Sequence, residues 1–78
     1  MQELIEYIAR SLVDDPTQVE VSKRRYGNTT QVDLRVAKED MGRVIGRNGR
    51  VANAMRILVR VAAGSSDQRA KLDIVEPE

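Results

Sequence analysis

The chain has 78 residues, 41% of them hydrophobic and 3% aromatic, with 13 Lys and Arg against 12 Asp and Glu and neither histidine nor cysteine. That length suits one small domain near the lower limit for a self-supporting core, and the two missing residue types exclude disulfides, thiolate metal sites and His-based catalysis. No stretch approaches the roughly 20 apolar residues of a membrane span, and no basic segment with an apolar signal core opens the chain; we expect one domain over residues 1–78 in a reducing cytoplasm, with no metal or cofactor.

In chain order, Leu4, Ile5, Ile8, Leu12 and Val13 recur at helical spacing, with Glu3, Glu6 and Arg10 on the other side. This predicts an amphipathic helix over 3–13, ended by Asp14-Asp15-Pro16 because Pro16 disfavours helical geometry at Asp15. Alternation then takes over, with Val19 and Val21 inward and Glu20 and Ser22 outward, which reads as a half-buried strand. Lys23-Arg24-Arg25-Tyr26-Gly27-Asn28 is expected to close that strand and form a hairpin loop, since Gly27 and Asn28 tolerate positive φ. A second strand follows with Val32, Leu34 and Val36 inward and Gln31, Asp33 and Arg35 outward.

A short helix is predicted over about 39–45, then a glycine turn, then a helix over about 50–63. Val51, Ala54, Met55, Leu58, Val61 and Ala62 are expected to form the buried stripe of the long helix, and Arg50, Asn53, Arg56 and Arg60 its polar stripe. Met41 also reads as core. Gly64-Ser65-Ser66 ends this helix, with Gly64 suited to a left-handed cap. A last strand over 69–75 places Leu72 and Ile74 inward, and Glu76-Pro77-Glu78 is a short tail. The expected fold class is α+β: a two-layer sandwich of order αββααβ, its three-stranded sheet covered on one face by three helices.

Charge is unevenly spread. Met41 through Ser66 contains Arg43, Arg47, Arg50, Arg56 and Arg60 and no acidic residue, whereas the first twenty residues carry Glu3, Glu6, Asp14, Asp15 and Glu20 against Arg10 alone. A polyanion senses charge within a Debye length of about 8 Å, so one face of a nearly neutral chain can be basic.

Inside the acid-free segment lies Gly46-Arg47-Asn48-Gly49. Two glycines framing two polar residues let the backbone turn sharply and approach a ligand, and the turn feeds a helix whose first amides lack intrahelical partners and favour an anion. The turn is not a P-loop, which needs four residues between its glycines and a following Gly-Lys-Ser/Thr. Nor is it a dinucleotide fingerprint, since the G-x-G-x-x-G spacing is missing. With only Tyr7 and Tyr26 aromatic, the stacking platforms of RRM, cold-shock and OB modules are also excluded. The chemistry on offer is phosphate capture, with no nucleophile and base pair to suggest an enzyme and no small-molecule substrate expected.

Asp40-Met41-Gly42-Arg43-Val44-Ile45-Gly46-Arg47-Asn48-Gly49-Arg50-Val51 resembles the core of a KH domain, and the element order is similar to the type II, prokaryotic form. The KhpA group of small bacterial single-KH proteins is the nearest resemblance. It implies a G-x-x-G loop clamping about four nucleotides of single-stranded RNA, with Gly46 and Gly49 admitting the sugar-phosphate backbone and Arg47 and Asn48 reaching the phosphates. Val44 and Ile45 would floor the groove, Ile45 being favoured, with Arg43, Arg50 and Asn53 beside it. Lys23, Arg24 and Arg25 are open to two readings, edging the groove or keeping a sheet edge soluble, and Arg56 and Arg60 to contact or solvation. The resemblance further implies an RNA-chaperone or post-transcriptional role in a homodimer or with a larger KhpB-type partner, which would supply avidity. Two other readings stand beside it: a protein-interaction module, and a helix-turn-helix DNA binder, which the mostly apolar second helix disfavours.

Overall fold

The computed structural model describes residues 2–64 and 69–75. Helix α1 (Gln2–Leu12) leads through a 3-10 turn at Pro16–Gln18 into strands β1 (Glu20–Tyr26) and β2 (Thr29–Arg35). A 3-10 turn at Lys38–Asp40 precedes α2 (Met41–Ile45); a third such turn, Arg47–Gly49, joins it to α3 (Arg50–Ala63), and β3 (Arg69–Val75) closes the sheet. The expected order αββααβ and the α+β two-layer architecture are therefore present. Ser65, Ser66 and the tail at Glu76-Pro77-Glu78 lie outside the described residues.

The sheet runs β1-β2-β3. β1 pairs antiparallel with β2, with Val21 opposite Leu34 and Tyr26 opposite Thr29, and β2 pairs parallel with β3, with Val32 opposite Leu72. A tight hairpin suffices for the first pairing, whereas parallel strands need a crossover; α2 and α3 supply it. The basic run forms the end of β1, as expected, and the hairpin loop is Gly27 and Asn28, of which Gly27 alone takes positive φ (60°).

One face of the sheet carries the core: Ile5 and Ala9 from α1, Val32 and Leu34 from β2, Val44 from α2, Met55 and Val59 from α3 and Leu72 from β3 are all buried. Met41 and Ile74 pack against this cluster partly buried. On the opposite face Gln31 was expected outward and does point that way, yet it is buried, its Nε2 donating to Asp33 Oδ1 (3.1 Å) and Asp73 Oδ2 (2.7 Å). A central strand has neighbours on both sides, and their side chains shield it.

Two helices bury only part of the stripe expected of them: Ile5 and Ile8 of α1, Val13 just past its end, and Val51 and Met55 of α3 reach the core, the rest does not. In α1, Leu4 and Leu12 are exposed and Ala9 is core. In α3 the buried residues are Ala52, Met55 and Val59, while Ala54, Leu58, Val61 and Ala62 of the expected stripe are exposed. At about 100° per residue Ala52, Met55 and Val59 share one side of the helix, and Ala54, Ile57, Leu58 and Val61 lie roughly opposite. The helix is apolar on two faces, and a single-stripe reading merges them.

Candidate nucleic-acid interface

The glycine turn begins where α2 ends. Gly46 (φ 77°, ψ 174°) donates to Gly42 O at 2.9 Å and closes the short helix. Asn48 (φ 57°, ψ 26°) and Gly49 (φ 75°, ψ 15°) are both left-handed, and Gly49 N donates to Gly46 O at 3.2 Å. Among the described residues Asn48 is the one non-glycine with positive φ, a conformation that asparagine tolerates better than most.

The two glycines serve different ends. A Cβ on Gly46 would stand 2.5 Å from Val51 Cγ2 and 2.9 Å from Val51 N, so this glycine is required by the packing of the turn against α3. A Cβ on Gly49 would meet only Asn53 Nδ2, at 4.0 Å. Open space on the Cβ side therefore lies at Gly49, whereas at Gly46 that side is filled by Val51.

Among the described residues the exposed side chains of Arg47, Asn48 and Arg50 make no hydrogen bond or ion pair, while Arg50 N donates to Arg47 O along the backbone. Gly49 caps α3 without any side-chain acceptor for the first amides. Two cations and an amide thus surround one turn at a helix start that no side chain caps, an arrangement suited to an anion.

From this turn a polar track follows α3 toward β3. Asn53 lies next to Gly49, its Oδ1 accepts from Arg56 Nη1 (3.2 Å), and Arg56 Nε donates to Leu72 O on β3 (3.2 Å). There Arg56, Arg60, Ala70, Lys71, Leu72 and Asp73 line a groove of about 180 Å³. Lys71 was not singled out from the sequence, where it is one cation in a strand; the signal for it lies in the pairing of β3 beside α3.

Other candidates are placed elsewhere. Val44 is wholly buried and belongs to the core, so it drops from the groove floor, while Ile45 keeps 37% of its surface exposed beside the turn. Arg43 is engaged: its Nη2 meets Asp14 Oδ2 at 3.0 Å and its Nε lies 3.6 Å from Asp40 Oδ1. Lys23, Arg24 and Arg25 sit on β1, the edge strand farthest from β3, and Arg24 pairs with Asp33 at 3.0 Å across the open face. That position accords with a charged, soluble sheet edge.

Among the described residues no helix is long and apolar enough to cross a membrane, and no three acidic side chains gather to hold a metal ion.

Known proteins match this chain over nearly its whole length. The family model described as "KhpA/KhpB, KH domain" matches residues 2–74. A Treponema pallidum protein named RNA-binding protein KhpA is 47% identical over 75 residues, 96% of this chain and 94% of its own. Proteins of the same name from Halalkalibacterium halodurans and Clostridium acetobutylicum are each 43% identical, over 97% and 96% of this chain respectively and 100% of their own length.

Proposed function

Since the chain belongs to the KhpA/KhpB family of KH domains, we propose that it is a single-stranded RNA-binding protein whose G-x-x-G turn, Gly46 to Gly49, clamps the RNA backbone. The observation that carries this reading is the coincidence, on one turn, of the exposed and unpaired side chains of Arg47, Asn48 and Arg50 with an α3 N-terminus that no side chain caps. Phosphates meet charge-assisted hydrogen bonds from the arginines, which outmatch neutral ones, and the backbone amides add fixed donors. Ile45 offers apolar surface for a base, and Asn53 and Arg56 lead the strand toward the groove against β3. Binding of this kind depends on backbone contacts more than base edges and so tolerates many sequences.

One groove of about four nucleotides gives modest affinity, and avidity would come from a second RNA-binding unit. The apolar outer face of α3, with Ile57 56% and Val61 71% exposed, supports association with a second copy or a KhpB-type partner. In this reading the protein acts as an RNA chaperone or post-transcriptional regulator in the cytoplasm, a binding module rather than an enzyme.

The test is the double substitution Arg47→Asp with Asn48→Asp, which sets two carboxylates against the phosphates at exposed positions. RNA binding is expected to be lost in a fluorescence-anisotropy titration while circular dichroism shows an unchanged fold. Retained affinity in the folded double variant would remove the turn from the binding site.

A further inference from the structure

The helix that delivers the G-x-x-G turn is too short to hold its own direction. α2 has five residues, little more than one turn, and such a helix is not stable alone. On its core side Val44 anchors it. On the side facing α1 a cluster of three side chains does so. Asp40 is buried to 2% exposure, and its carboxylate caps no amide of α2; Oδ1 and Oδ2 instead accept from Asp14 N (3.2 Å) and Asp15 N (3.1 Å), just past the end of α1. Arg43 completes the cluster, with Nε 3.6 Å from Asp40 and Nη2 3.0 Å from Asp14.

We propose that Asp14, Asp40 and Arg43 form a clasp that fixes α2 against the end of α1 and thereby positions the Gly46–Gly49 turn, with Arg43 acting as a positioning residue rather than a phosphate ligand. The charge balance favours this role. Two carboxylates on one guanidinium leave the cluster net negative, a poor place for RNA phosphate. A buried carboxylate also needs its full set of partners, because leaving one unsatisfied carries a desolvation penalty. Arg43 stands three residues before Gly46, whose amide closes α2 on Gly42 O, so tilting α2 moves the first glycine directly. On the far side Gly46 is locked against Val51. The turn is held from both ends, and the clasp is the end that α1 controls.

This inference rests on the reading of the turn as the RNA clamp, and the experiment separates the two. The full chain is titrated with a short single-stranded RNA of mixed sequence over a range of salt, and amide hydrogen exchange is measured without RNA. Arg43→Gln is expected to speed exchange at Gly46 and Gly49 and to weaken RNA binding several-fold, with the slope of log affinity against log salt unchanged. Arg47→Gln, which removes a phosphate contact, is expected to flatten that slope by about 0.7. Arg43→Lys is expected to fail as a rescue, since an ammonium lacks the planar fork that spans two carboxylates. Asp14→Asn should weaken binding in the same direction and add little to Arg43→Gln, as members of one network do. Because Asp14 and Arg43 are exposed side chains, these variants leave the buried Asp40 in place and test the clasp without removing a core group. Unchanged exchange at Gly46 and Gly49 in folded Arg43→Gln protein overturns the clasp whether or not RNA binds. A flattened salt slope for Arg43→Gln, or tighter binding by Asp14→Asn, overturns it by making Arg43 a restrained phosphate ligand. A parent chain that fails to bind RNA, or an indifferent Arg47→Gln, sinks the RNA reading instead and leaves exchange to decide the clasp.

Discussion

Gly46 and Gly49 occupy equivalent places in the motif and unequal places in the structure, and substitution by alanine should separate them. Gly46→Ala meets both a backbone region that essentially only glycine adopts and the body of Val51, so a loss of about 1–3 kcal/mol or more is expected. Gly49→Ala meets open space and only the left-handed strain, about 1–2 kcal/mol. Urea unfolding of the two variants should rank them in that order. Asp15 gives a pH-dependent counterpart. Hydrogen bonds from the Thr17 side chain and then from Gln18 hold its carboxyl below the ordinary value of 3.8. A carboxyl lowered by folding contributes stability above its unfolded pKa, and that contribution is lost as pH falls through the folded value. Asp15→Asn is therefore expected to flatten the acid limb of stability against pH, below the ordinary carboxylate range, in thermal melts; an acid limb as steep as the parent's would show the bonds to be inconsequential.

α3 carries the most divided labour of any element. One face is core through Ala52, Met55 and Val59; one flank offers Asn53 and Arg56 toward β3; the outer face presents Ala54, Ile57, Leu58 and Val61 to solvent. This outer face is the surface proposed above for association with a second copy or a partner. Leu58→Glu, at a site 41% exposed, should leave monomer stability within about 0.5 kcal/mol and reduce the mass measured by light scattering from two chains to one. A mass unaffected by that change would exclude this face from assembly. The same helix shows how far a sequence pattern reaches: its limits, 50–63, and its polar residues were legible, while the choice between two apolar stripes was not, because both have helical period.

Across the whole molecule the core is small and centred on β2, which is buried from both sides by β1 and β3. Leu34 is wholly buried there, and Leu34→Ala should cost about 2–5 kcal/mol, a large share of the 5–15 kcal/mol typical of natural domains. A urea midpoint that scarcely moves would indicate a core able to collapse around the gap. The groove between α3 and β3 lies at one margin of this core, and the basic edge of β1 lies at the other. That separation places Lys23, Arg24 and Arg25 away from the α3–β3 groove, which adjacency in the chain could not show.

Most of the architecture was readable without coordinates, because periodicity, proline and glycine act over a few residues and are written locally. The element order, the inward residues of β2 and β3 and the glycine turn with its basic surroundings all follow from such local signals. Whatever depends on residues distant in sequence needed the tertiary structure: the burial of Gln31 by Asp73, the engagement of Arg43 by Asp14, the loss of Val44 to the core and the nearness of Arg56 to Leu72. Each of these joins partners that only the paired strands and packed helices bring within bonding distance, and no local pattern encodes that distance.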